Sequence, residues 1–185
     1  MNLNLSWDLF VIVFFALVTV YTFILGRSEA IKMIIATYIG IIAVQGVSSA
    51  VGRLNTATGS LLSYVGLSED AWIPTLGKVI LFVIILIFFT IRAGIEVRYK
   101  KEPSQLISLV LTLLFGVATA GLILTTLMTY ATGVPLLEMN LATVQSLGPV
   151  IQQSEIMQFM ISNQDLWFTV PAVLLAAVGL THNQG

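Results

Sequence analysis

The chain has 185 residues, of which 57% are apolar and 9% charged, with a mean hydropathy of +0.98 and a formal net charge of −1. Soluble domains carry about 25% charged residues, so this composition excludes a soluble particle and indicates an integral membrane protein. The balanced charge gives no reason to expect a nucleic-acid partner. The absence of cysteine excludes disulfides and thiolate metal sites.

The opening MNLNLSWDL lacks the basic n-region of a secretory signal, and no small-residue cleavage pattern follows the first apolar run. That run therefore reads as a retained helix. A helix crossing ~30 Å of hydrocarbon needs about 20 apolar residues. Four segments meet that length, at about 7–25, 31–51, 73–91 and 106–131. Each must be helical, because an open strand would leave backbone groups unpaired in lipid. The expected fold is all-α: one membrane domain over 1–185, a helical bundle of four transmembrane helices with amphipathic outer helices.

Between the first two apolar runs lies GRSEAIK (26–32), the most charged stretch nearby. Gly26 suits a tight turn, Arg27 and Lys32 are topology signals, and Glu29 can pair with Lys32 at i,i+3, worth a few tenths of a kcal/mol. Arg92, Arg98, Lys100 and Lys101 form a second basic cluster, between the third and fourth runs. The longer second connection holds only Arg53 and Lys78, and no basic residue follows Lys101. By the positive-inside rule the first and third connections face the cytoplasm and the N-terminus lies outside. The same topology puts Trp7, Trp72 and Trp167 on the outer side, where indoles favour the interface.

In the second connection, Ser68 ahead of Glu69 and Asp70 reads as a helix N-cap with acids in the first turn. The stretch 136–165 mixes apolar residues with Gln, Asn, Ser and acids. Ile156, Phe159 and Met160 share a helical face there, so one or two amphipathic outer helices are expected, broken near Gly148-Pro149. They serve either as a connector lying on the membrane or as a partner-docking surface. LWFTVPAVLLAAVGL (166–180) is shorter than a full span, about 22 Å of helix, with Pro171 placed near its first turn. It is either a fifth short span or an interfacial or re-entrant helix.

Small residues recur at close-packing spacing: Ala36, Gly40 and Ala43 in the second run, Gly116, Ala120 and Gly121 in the fourth. Such spacing serves internal helix packing or contact with another subunit. Gln45 is the one strongly polar side chain well inside a run. It fits a helix–helix hydrogen bond or, with Thr112, Thr119, Thr125 and Thr126, a polar path through a small channel or transporter. No enzyme is legible: GVSSAVG (46–52) offers serines, but the sole histidine, His182, stands in the C-terminal tail, and a serine nucleophile needs a base within reach. One imidazole makes no metal site, and no cofactor is expected.

An outer Asp8, a long apolar helix, a turn with Gly26, Arg27 and Glu29-Ala30, and a second helix carrying Gly40 form a pattern that resembles the colicin V production protein (CvpA) family. LFGVATAGLILTTLM (114–128) is similar to that family's late Gly-rich helix at Gly116 and Gly121. QSLGPVI (145–151) resembles its Ser/Pro-containing outer segment. The chain departs at Ser28, where the family often has a second basic residue, and at Ala120, where it has Arg. It departs again at YKKEPSQ (99–105), which replaces a stretch holding Asp. The resemblance implies a bacterial inner-membrane protein of about four spans, linked to bacteriocin export and envelope stress. On that basis the expected role is a non-enzymatic accessory or scaffold in the bilayer, acting as a homo-oligomer or within a larger membrane complex.

Overall fold

A computed structural model describes residues 7–58, 72–92, 105–132 and 154–182. Among them are six helices: α1 Trp7–Leu25, α2 Arg27–Thr58, α3 Trp72–Arg92, α4 Gln105–Thr132, α5 Glu155–Ser162 and α6 Gln164–His182. The basic residues Arg98, Lys100 and Lys101, the Ser68 cap, and the break expected at Gly148-Pro149 lie outside the described residues. By length and composition, α1, α2 through Leu54 and α4 through Ala131 are able to cross a membrane. The α5–α6 pair, bent by 65° at its break, is able to do so as one unit.

α1 buries one narrow stripe. Val11 and Thr22 are buried, Asp8, Phe14, Phe15, Val18 and Thr19 half-buried, and the rest of the helix is exposed, mostly Leu, Phe, Ile and Val with Trp7, Ala16 and Tyr21. That exposed surface is apolar on every side, as a lipid-facing helix must be. α4 is the opposite. From Phe115 to Tyr130 only Val117 and Leu127 are less than fully buried, so its second half is the axis of the bundle. α1 packs along it in the opposite direction, with Val11 in one cluster with Leu124 and Met128, and Gly116 on Thr19.

α2 faces inward with Ala30, Ile34, Thr37, Ile41 and Val44, a 4-3-4-3 spacing that keeps one helical stripe against its neighbours. It starts four residues earlier and runs seven residues later than the apolar run predicted. The early start follows from Gly26 alone. Its φ of +90° lets the chain reverse in a single residue, its N–H donating to the Thr22 carbonyl (2.8 Å) and its carbonyl accepting from Glu29 (3.1 Å). The late end takes α2 to about 48 Å, and from Gln45 to Leu54 its side chains are largely exposed.

α3 packs on α2, with Phe82 fully buried against Gly40 and edge-on to Tyr130 at 5.6 Å. α5 buries Met157, Met160 and Ile161 in the cluster formed with Val11, Leu124 and Met128. This corrects the expected face: Phe159 is exposed and Ile156 half-buried, because the helix turns its 157/160/161 edge inward.

α6 begins at Gln164, earlier than the apolar count suggested, so Pro171 falls about two turns inside it rather than near its start. An interior proline deprives the carbonyl four residues back of its N–H. Tyr38 donates into that weakened turn, its hydroxyl reaching the Phe168 carbonyl at 2.5 Å.

Candidate functional site

The most organised region is the seam where α4 meets α1, α2 and α6, and small residues create it. A Cβ on Gly116 would stand 3.2 Å from the Thr19 Cα, and one on Gly40 would stand 3.2 Å from the Phe82 ring. At Gly121 there is no room at all: a methyl group would run into the Trp167 ring, which packs directly against that position of α4. Ala36 and Ala120 are fully buried beside these glycines, and Ala43 is half-buried. Gly40, Gly116 and Gly121 thus meet neighbouring helices of the same chain, and Ala36 and Ala120 are buried beside them.

Trp167 also reaches α1. Its ring packs edge-on to Phe15 at 5.7 Å, and Phe15 lies two helical turns along α1 from Trp7, about 12 Å. Trp167 is a half-buried side chain seated against α4 over Gly121.

Threonines make the interior polar without exposing that polarity. Thr119, Thr126 and Thr129 donate to the carbonyls of Phe115, Leu122 and Thr125 at 2.7, 2.7 and 2.8 Å. Thr22 and Thr37 do the same in α1 and α2 at 2.9 and 2.7 Å. Such bonds satisfy a hydroxyl inside its own helix. Between helices, Gln164 Nε2 donates to Thr129 Oγ1 at 2.8 Å and Tyr130 Oη to the Ile41 carbonyl at 3.3 Å.

The end of the bundle that holds Asp8 has a second polar element. Ser154 caps α5, accepting from the Met157 N–H at 3.1 Å. Ser154 Oγ also donates to Asp8 Oδ1 at 2.5 Å, and the Ile156 N–H donates to the same oxygen at 3.3 Å. Asp8 thus places a carboxylate at the N-terminus of α5, where the helix dipole favours it. At the opposite end of α1, Arg27 is only 4% exposed rather than a solvated cation, while Lys32 and Glu29 form a half-exposed ion pair at 2.7 Å.

Gln45 is exposed on the outside of α2, whereas Thr119, Thr125 and Thr126 are buried around α4 and Thr112 is half-buried, bonded to the Ser108 carbonyl at 2.8 Å. The structure does not bring Gln45 and the α4 threonines together. Among the described residues no cluster of His, Cys, Asp or Glu is disposed to hold a metal ion. Sequence reasoning missed Gln164, Ser154 and the two tyrosine bonds. Ser154 followed by Glu155 carries a detectable helix-start signal, but nothing distinguishes Gln164 from Gln152, Gln153 or Gln158 until the fold sets it against Thr129. No family model, no curated protein and no solved structure matches this chain.

Proposed function

We propose that this chain is a multi-pass integral membrane protein whose role is structural assembly rather than catalysis. α1 to α4 cross the bilayer with the N-terminus outside, and α5–α6 form a broken fifth span. The observation that carries the reading is α4. Its small and back-bonded side chains are enclosed on nearly every side by neighbouring helices, an interior suited to rigid packing. The return of α6 is supported by Gln164 lying on Thr129 and Trp167 on Gly121, which run it antiparallel to α4.

A bacterial inner-membrane location and a part in toxin export or envelope maintenance rest on the sequence resemblance to the CvpA family alone. On this reading the protein works as an oligomer or in a larger complex. Because the Ala36–Gly40 and Gly116–Gly121 faces are occupied internally, assembly uses another surface, the exposed second half of α2 that holds Gln45, Val47 and Val51. With no native cysteine, Gln45→Cys or Val47→Cys gives a clean crosslinking probe in native membranes. Crosslinked species are expected, and a strictly monomeric chain at both positions overturns the scaffold reading. A C-terminal reporter is expected on the cytoplasmic side, and an outer signal removes the fifth span.

A further inference from the structure

Gly121, Thr125 and Thr129 stand at successive turns on one face of α4. α6 lays Trp167 on the first and Gln164 on the third, so Thr125 lies between those two contacts. Three buried side-chain atoms of this strip have no protein partner: Thr125 Oγ1, Gln164 Oε1 and Trp167 Nε1. Thr125 and Gln164 are 1% and 4% exposed. Thr125 is also the exception among its neighbours. Thr119, Thr126 and Thr129 each bond the carbonyl four residues back, and Thr125 does not.

A buried polar group left unpaired is strongly unfavourable, and native proteins answer it with a bound molecule. The three atoms comprise a hydroxyl, a carbonyl acceptor and an N–H donor, a set that matches a ligand able both to donate and to accept. The strip itself carries no formal charge. Asp165 beside it is exposed, and Asp8 is engaged with Ser154 and Ile156. A dehydrated ion would find no counter-charge here. Irregular backbone such as the α5–α6 break at Asn163 is tolerated at membrane depth only inside protein or beside water. We infer that the α4–α6 seam is a binding site for a small neutral hydrogen-bonding molecule, water, bridging Thr125, Gln164 and Trp167 beneath the α5–α6 bend.

The test uses the full chain in detergent or nanodiscs. Thr125→Val keeps the shape and removes only the hydroxyl. Gln164→Met removes the acceptor together with the bond from Nε2 to Thr129. If water bridges them, each variant lowers Tm by about 2–4 °C, and the double variant falls by less than the sum, because either change releases the same molecule. An unchanged or raised Tm for Thr125→Val, or strictly additive losses, means dry, independent atoms and overturns the site. A second readout does not depend on stability. In a chain whose only indole is Trp167 (Trp7→Phe, Trp72→Phe), Thr125→Val is expected to shift emission to shorter wavelength while Thr125→Ser leaves it in place. No shift with Val, or an equal shift with Ser, rejects the bridging water.

Discussion

α1 and α4 are equally apolar, yet α1 buries only a narrow stripe while the second half of α4 is enclosed almost completely. Hydropathy therefore reports that a helix belongs in a membrane and is silent on whether it faces lipid or protein. The difference lies in side-chain size. α1 carries Leu, Phe, Ile and Val around its whole circumference, while the second half of α4 alternates such residues with Gly116, Ala118, Thr119, Ala120, Gly121, Thr125 and Thr126. Lipid tails are as apolar as leucine, so helices gain nothing by hiding apolar surface from lipid. What selects the central helix is how closely its backbone can be approached.

The sharpest way to break that contrast is Gly121→Ala. The added methyl meets the Trp167 ring, and overpacking of this kind costs about 1–3 kcal/mol. A fall in unfolding midpoint near the top of that range is expected, and a neutral result would show that Trp167 repacks freely. Asp8→Ala follows. It removes the acceptor of the Ser154 hydroxyl and the Ile156 N–H, and about 1–2 kcal/mol is expected. Amide exchange should rise in α5 and leave α2 unchanged, and uniform exchange across the chain would sink the local role given to Asp8. A smaller effect is expected for Thr126→Val, about 0.5 kcal/mol, because the lost bond lies within its own helix and a valine fills the same space. Smallest of all is Leu17→Ala in α1. The side chain is 65% exposed, so stability is expected to move by less than about 0.5 kcal/mol. A loss as large as that of Gly121→Ala would mean that α1 is covered by another chain.

Much of this arrangement was legible in the sequence, and the reason is specific. The apolar runs at 7–25, 73–91 and 106–131 coincide with α1, α3 and α4 to within a residue at each end, because runs of that length in lipid have no alternative to helix. The glycines at 40, 116 and 121 were readable as places of close approach. Their partners were not: Phe82, Thr19 and Trp167 are fixed by three-dimensional packing between segments far apart in sequence. The same limit hid the Asp8–Ser154 contact, which joins residues 146 apart. α2 was misjudged at both ends for different reasons. Its start depends on one backbone angle at Gly26, which composition suggests only as a turn, and its extension past 51 passes through Gly, Arg and Asn, where hydropathy stops signalling. Pro171 was misplaced because α6 begins in polar residues, Gln164 and Asp165, that an apolar count discards.

The joint between α1 and α2 is a single residue, and that has a mechanical consequence. A loop of several residues lets each helix spin about its own axis. One glycine held by bonds on both sides, to Thr22 and from Glu29, transmits torque instead. α1 packs along α4 through a narrow stripe that includes Val11 and Thr19, and Asp8 ties its start to α5. Its azimuth is set by that stripe and, at the other end, through Gly26 by an α2 packed against α3 and α4. A helix exposed on most sides is thereby kept from turning, and Val11, Thr19 and Thr22 stay directed at α4 as a key is kept in line by its shank.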